Sequence, residues 1–450
     1  MVATLVKKKL SSQQIVILIL KMLIMKNIKT LICFITLTAL VVFLGGCVKD
    51  KLRTTYTLYK PVYKNKQEVL QSIKSNAPTP LVQTGKLFKF GNYIFVNEVN
   101  KGVHIIDNSN PSSPVNKYFI SIPGNVDLAV KDNTLYADIH TDLIAIDITN
   151  PQAAVVKKML QYVFPERQYS NGFIADSTQY IVDWIKYETV NEQDDLGNIN
   201  RGVPIALSQE AFSSSQANAS NTKSVGVGGS MARFTIVDDY LYTVGNATLS
   251  ALNITNTNNP VVENTKSIGW NIETIYPLNN KLFIGGQTGM FIYDITNAAD
   301  PVFTGSFSHA CFRDPVIADD KYAYVTLRSM AEQGTCWGGM AAQRNELDIV
   351  DITNLAAPAL VKIYDMAEPK GLSKDGNHLF ICDGKGGLKV YNAADVLNLT
   401  LIKQIKNITP FDVIVQDGIA IVVADEGIFQ YDYSSINNIK LLSKIVVGRN

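Results

Sequence analysis

One phrase recurs along this chain and limits what it can fold into. VHIIDNSNPSSPV begins at Val103, LIAIDITNPQAAV at Leu143, MFIYDITNAADPVF at Met290 and LDIVDITNLAAPAL at Leu347. The polar residue that ends each apolar run falls at Asp107, Asp147, Asn253, Asp294, Asp351, Asn392 and Asp432. Neighbouring members are 40 or 41 residues apart, except for 57 between Asp294 and Asp351 and 106 between Asp147 and Asn253. Each period holds four short apolar–polar alternations of strand type separated by turn residues. In the last period these are Phe411 to Val415, Ile419 to Ala424, Gly427 to Asp432 and Leu441 to Val447. The first two strands of a period are joined by tight polar turns such as Lys131-Asp132-Asn133 and Asp375-Gly376-Asn377. Asp, Asn and Gly are the residues that tolerate hairpin backbone angles.

Four antiparallel strands every forty-odd residues specify an all-β fold, a single β-propeller of four-stranded blades. One such sheet cannot bury both faces, whereas a closed ring of them can, and it leaves few open edges. The 106-residue interval reads as two periods plus an insertion, giving eight blades. Seven is the alternative if the degenerate repeat near Tyr180 to Leu207 is an elaborated loop.

Leu347-Asp348-Ile349-Val350-Asp351 resembles the pentapeptide of the LVIVD-repeat propellers, envelope lipoproteins of Gram-negative bacteria. The resemblance spans about Thr84 to Val447 and departs at Leu249 to Asn253 and Leu388 to Asn392, where Asn replaces the final Asp. It implies a propeller in the cell envelope and carries no catalytic residue with it.

The first fifty residues give an address. Met25-Lys26-Asn27-Ile28-Lys29-Thr30, the apolar LICFITLTALVVF and then Leu44-Gly45-Gly46-Cys47 follow the layout of a secretory signal. The ending resembles the lipobox of bacterial lipoproteins, which implies acylation of Cys47 and removal of the preceding peptide. A single membrane-spanning helix is the alternative. The expected organisation is a signal peptide at 1–46, a lipidated N-terminus and tether with a short helix at 47–83, and the propeller at 84–447. Translation from Met25 would leave 1–24 unused. The expected place is the bacterial cell envelope, anchored through lipid to the outer membrane and facing either the periplasm or the exterior.

A formal net charge of +1 gives no electrostatic case for a nucleic-acid partner. Five cysteines are too few for a disulfide scaffold. Cys311 and Cys336 fall on one face of one blade and are the candidate disulfide, with two free thiols as the alternative; Cys382 lies inside a strand and Cys33 in the signal.

A meander with its first strand innermost sorts the loops onto two faces. One holds the short repetitive turns; the other holds the variable links and both long insertions. Function concentrates on loops positioned by a rigid scaffold, so the second face supplies the binding candidates: Asp138, His140, Arg167, Trp270, Gln287, His309, Arg313, Asp314, Arg328, Trp337, Glu368, Lys385 and Glu426. Phe164, Trp270, Phe312 and Trp337 beside Arg167, Arg313 and Arg328 suit a polar ligand with stackable or carboxylated groups.

No metal or other cofactor is expected, because His104 lies in a strand, His378 at a turn, and His140 and His309 in different blades. The expected role is a lipid-anchored binding or scaffold protein that holds a polymer, peptide or envelope protein. A periplasmic outer-membrane assembly factor and a glycan hydrolase or lyase are the alternatives. The last needs convergent carboxylates, for which Glu98 with Asp138 and Asp314 with Glu368 are the candidates.

Overall fold

The computed structural model describes residue 13 and residues 52–165, 178–193, 215–216, 226–309, 315–329 and 344–448. The chain divides into two units, residues 59–185 with 205–450 and residues 1–58 with 186–204. The larger unit is a β-propeller of seven blades, each a meander of strands A to D. Blade 1 is built from Thr84–Phe90, Tyr93–Glu98, Gly102–Asp107 and Val115–Ser121. Blade 7 is Pro410–Gln416, Ile419–Ala424, Gly427–Asp432 and Lys440–Val446. The A strands of successive blades lie side by side around the axis, and that of blade 7 returns to that of blade 1.

The ring has seven blades, the alternative reading of the spacing, and not the favoured eight. After blade 2 ends at Val155–Leu160, the chain leaves the ring and re-enters it as blade 3 at Phe234–Val237. Within that excursion Gln179–Gln193 pairs with Leu52–Asn65 in a sheet of two strands, so the apparent degenerate repeat builds no blade. A second piece, Val227–Ser230, pairs antiparallel with the A strand of blade 1, with Val227 opposite Lys89 and Gly228 opposite Phe88.

The recurring phrase has a structural cause. The residues before the final Asp are buried on both sides, because strand C is covered by a blade on each face. The final residue turns the chain. Its side-chain oxygen accepts the backbone N–H two residues on at Asp107, Asp147, Asn253, Asp294, Asp351, Asn392 and Asp432, at 2.7–3.0 Å. An Asn carbonyl does this as well as a carboxylate, which explains the two departures from the pattern. The next N–H donates to the A–B turn of the same blade, as Ile148 does to the Asn133 carbonyl at 2.8 Å. In all seven blades strand D carries a one-residue irregularity opposite this motif. One face is thereby closed seven times over by backbone.

Neighbouring blades are latched by buried tyrosines. The hydroxyls of Tyr136, Tyr242 and Tyr276 donate to the carbonyls of Thr257, Ala298 and Ala318 in the following blade at 2.8–3.0 Å. The ring closes without exchanging a strand. Gln430 Nε2 donates to Asn108 Oδ1 at 2.7 Å, Ser443 Oγ to the Pro111 carbonyl at 2.6 Å, and Leu81 forms a parallel bridge to Val447.

A short helix, Lys66–Ser72, lies within the stretch read as a tether. Asn65 caps it by accepting Gln67 N–H at 2.8 Å, and Val69 joins the apolar core of blades 1 and 2.

Candidate functional site

Strand B ends on the variable face, and its last side chains decide how the incoming link is held. Asp138 Oδ1 accepts the N–H of Val126 and of Asp127 at 2.7 and 2.9 Å, and Asn125 Nδ2 at 2.8 Å. Glu98 accepts Val82 and Gln83 N–H, Asp383 accepts Ala367 and Glu368 N–H, and Glu426 accepts Thr409 N–H and its hydroxyl. Consecutive N–H groups aimed at one carboxylate fix its position. Asp138 and Glu426, read from sequence as ligand contacts, therefore anchor the backbone. Glu98 and Asp138, read as an acid pair, are each tied to a different link.

The axis is filled by the chain itself. Lys86 Nζ donates to the Met231 carbonyl and lies 3.6 Å from Asp127 Oδ2. Ser230 N–H donates to Asp412 Oδ1 at 3.0 Å, Leu372 N–H to Ser230 Oγ at 2.5 Å, Ile275 N–H to the Ala232 carbonyl at 3.1 Å and Arg233 N–H to Asp127 Oδ2 at 2.6 Å. The segment Val227 to Arg233 thus bonds to blades 1, 2, 4, 6 and 7. Burial lowers the pKa of the Lys86 ammonium and raises that of the Asp127 carboxyl, each opposed by the other's charge. A channel mouth at the axis, the concavity expected of this fold, is occupied by the protein's own backbone.

Two aromatic candidates prove to be core. Phe164 is buried and stacks on Phe234 at 5.5 Å between centroids. His140 is buried with φ +56°, its ring stacked on Tyr180 at 4.6 Å and pressed against Gly124, where a Cβ would collide with the imidazole. Trp270 behaves oppositely. Gly269 and Asn271 on either side have φ of +131° and +55°, and the indole is 76% exposed. Nearby, Gln287 donates to Glu273 Oε1 at 3.2 Å, and its N–H to the Asn271 carbonyl at 3.1 Å.

A charged group forms on blades 5 and 6. Glu368 accepts Lys370 Nζ at 3.2 Å and Lys385 N–H at 3.4 Å. Burial works to raise its pKa, but Lys370, Lys385 N–H and Arg328 outweigh it and hold the carboxyl below its usual range. The Lys385 side chain is exposed. His309 sits at the end of strand D of blade 4, with its ring 6.3 Å from that of Phe307. It acts on a residue that sequence reading passed over, Asp348. This carboxyl is 3% exposed, and burial, then the Glu346 charge, push its pKa up to about 7 against the pull of His309. Arg167, Arg313, Asp314, Trp337, Phe312, Cys47 and the pair Cys311 and Cys336 lie outside the described residues.

The structure also reveals a docking point that the sequence did not announce. Lys66 Nζ lies 2.8 Å from Asp142 Oδ2, which also accepts the Tyr180 hydroxyl; Asp142 Oδ1 accepts Tyr162 N–H and Thr141 Oγ1 at 3.0 Å. The Lys66 ammonium stands over the rings of Tyr162 and Tyr180, at 4.7 and 4.9 Å.

Comparison with known proteins agrees with the repeat. The LVIVD repeat model matches residues 88–119 and 340–366. A search of curated proteins gives no match. Among solved structures, the chain is similar to a periplasmic gluconolactonase from Pseudomonas aeruginosa, at 11% identity over 84% of this chain and 96% of that one, with a TM-score of 0.48. It is similar to a protein from Lactobacillus plantarum at 13% identity, covering 81% and 97%, with a TM-score of 0.49. BamB from Moraxella catarrhalis gives 9%, 83%, 97% and 0.44. Similarity this low says nothing about activity. The chain is a seven-bladed β-propeller that carries LVIVD repeats.

Proposed function

We propose that this is a lipid-anchored envelope protein that uses its variable face to hold a protein or polymer ligand. The observation that carries the reading is the difference between the faces. One is closed in every blade by the same side-chain-to-backbone turn. The other presents Trp270, held outward by two left-handed neighbours, and the charged group around Glu368. An indole exposed on a rigid loop is what a binding hot spot offers a partner. Anchoring through Cys47 in the outer membrane rests on the Leu44-Gly45-Gly46-Cys47 sequence.

A photo-crosslinking residue at position 270, in intact and in permeabilised cells, tests the binding face. A discrete crosslinked species supports the reading; the same background as a probe in the closed face, for example at Ser109, overturns it. Incorporation of labelled palmitate into the native chain but not into Cys47→Ser tests the anchor. A second reading, a periplasmic assembly factor that pairs with exposed strands, is favoured by the outer strand of blade 5, Ala359–Asp365, where Leu360, Val361 and Ile363 are exposed. Proline at Val361 would weaken partner capture if that edge is used, and leave it unchanged if the loops are used.

A further inference from the structure

Eight acidic side chains are buried in the described residues: Glu98, Asp127, Asp138, Asp142, Glu346, Asp348, Asp383 and Asp412. Six have evident partners. Backbone N–H groups serve Glu98, Asp127, Asp138, Asp383 and Asp412; Lys86 and Lys389 add charge at Asp127 and Asp383, and Lys66 at Asp142. Glu346 and Asp348 differ. Asp348 Oδ1 is buried with no hydrogen-bond partner among the described residues. The groups that act on its carboxyl are Glu346 and, from blade 4, His309.

The two acids lie on one face of strand C of blade 5, two residues apart. Glu346 is directly opposite Asp365 on strand D, a third acid. The residues of strand B that pair with them, Leu327 and Val325, carry no charge. At the Glu346 position blades 1, 4, 6 and 7 carry glycine with φ of +147°, +158°, +79° and +144°. In blade 1, the counterpart of Asp348 is His104, which has Glu98 as its partner at 3.4 Å. Among the described residues, blade 5 alone places two acids in this frame with no cation hydrogen-bonded to either. A buried carboxylate without a partner is expensive, so the fold gains nothing from keeping it.

We propose that Asp348 and Glu346 form a subsite for an organic cation, the ammonium or guanidinium group of a ligand held on the variable face. This deepens the binding reading above and rests on it. Two positions apart on a strand is about 6.6 Å, a spacing suited to a cation with several N–H donors. A calcium ion would need its oxygens at about 2.3–2.6 Å, and among the described residues no group of three His, Cys, Asp or Glu is arranged to hold a metal. The cation supplies the donors that Oδ1 lacks and cancels the repulsion between the two carboxyls. His309 stands beside the subsite and becomes a competing charge when protonated.

Spermidine is a suitable probe, titrated by calorimetry into the full-length protein at pH 8.0 and pH 5.5. Saturable binding at pH 8.0 is expected, weakened about tenfold or more at pH 5.5, where a proton occupies Asp348. Asp348→Asn keeps the shape, and at pH 8.0 it should lose the binding at least tenfold. Glu346→Gln should weaken it less. Calcium chloride is titrated in parallel. Absence of saturable spermidine binding, unchanged binding by Asp348→Asn, or saturable binding of calcium in place of spermidine would each overturn the proposal. The crosslink at position 270 separates the two readings. Its persistence in a protein that ignores spermidine leaves the binding face standing and removes the cation subsite. Its loss with spermidine binding intact does the reverse.

Discussion

Blades 2 and 5 make the same substitution and handle it in opposite ways. Where blades 1, 4 and 7 begin strand C with a glycine, blade 2 has Asp142 and blade 5 has Glu346. Blade 2 surrounds its carboxylate with Lys66 Nζ, Tyr162 N–H and the hydroxyls of Tyr180 and Thr141. Two of these come from outside the blade, from the helix before the ring and the strand in the excursion after it. In blade 5 the acid two residues on from Glu346, Asp348, has no donor to its Oδ1 among the described residues. The difference teaches that a buried charge can serve as a clasp or as a vacancy, and that its partners decide which. In blade 2 Asp142 ties two flanking segments to the ring; in blade 5, on the proposal above, Asp348 is left for the cation of a ligand.

Removing the clasp should have the largest effect. Lys66→Met deletes the ammonium but keeps much of the stem, leaving Asp142 buried without its cation. A loss of about 3 kcal/mol is expected, since breaking one side of a buried pair strands the other charge. Urea unfolding checks it, and the double variant Lys66→Met with Asp142→Asn should recover most of the loss. No recovery would mean that the helix docks through Val69 packing alone.

Asp348→Asn should move stability the other way, and only above acidic pH. Its carboxyl titrates near 7 in the folded protein, against about 3.9 when unfolded. The folded state therefore keeps a proton that the unfolded state releases, and native stability falls as pH rises from about 4 to 7. Below that window both states are protonated and the variant should match the native protein. At pH 8 it should be more stable by about 2–4 kcal/mol, from roughly three pKa units at 1.36 kcal/mol each. Melting curves at pH 4 and pH 8 suffice, and a stabilisation equal at both would refute the assignment.

The turn residues come next. Asp351→Ala removes the acceptor for Thr353 N–H at 2.8 Å and Thr353 Oγ1 at 2.6 Å. About 1 kcal/mol is expected from an exposed turn of this kind. Asp351→Asn should cost much less, because blades 3 and 6 already use Asn there. A large cost for Asn would mean that charge, rather than acceptor geometry, sets the turn.

How much of this was legible varies with distance along the chain. The period, the four strands and the sorting of turns to one face are local properties, written in alternation and turn residues. The strands expected for blade 7 match those found within a residue or two. The short helix expected within 47–83 lies at Lys66–Ser72. The favoured count of eight gave way to the alternative of seven because spacing measures chain length and not destination. The residues that fill the axis and pair with Leu52–Asn65 carry strand-like composition, but they pair with distant segments. The acids failed for the same reason. Asp138 and Glu426 look like any loop carboxylate until the N–H groups of the incoming link are seen. One signal was available and missed: aligning the repeats puts Glu346 where four blades carry glycine, and Asp348 where the others carry His104, Ile144, Ser250, Phe291, Lys389 and Phe429, none of them acidic. Reading LDIVD as one more copy of the motif hid the anomaly inside it.

Trp270 should give the smallest effect on stability, and that contrast is its use. With 76% of its surface in water, the indole contributes little to the core, so Trp270→Ala should change the unfolding free energy by less than about 0.5 kcal/mol. Blade 2's clasp and the closed-face turns have stability as their only readout. If the variable face binds, this substitution reverses that relation: stability unchanged, partner capture reduced by tenfold or more. A loss of stability would show that the indole packs against a neighbouring loop and belongs to the fold. Unchanged capture would remove the one exposed aromatic on which the face was argued, and would shift the binding reading to the outer edge of blade 5.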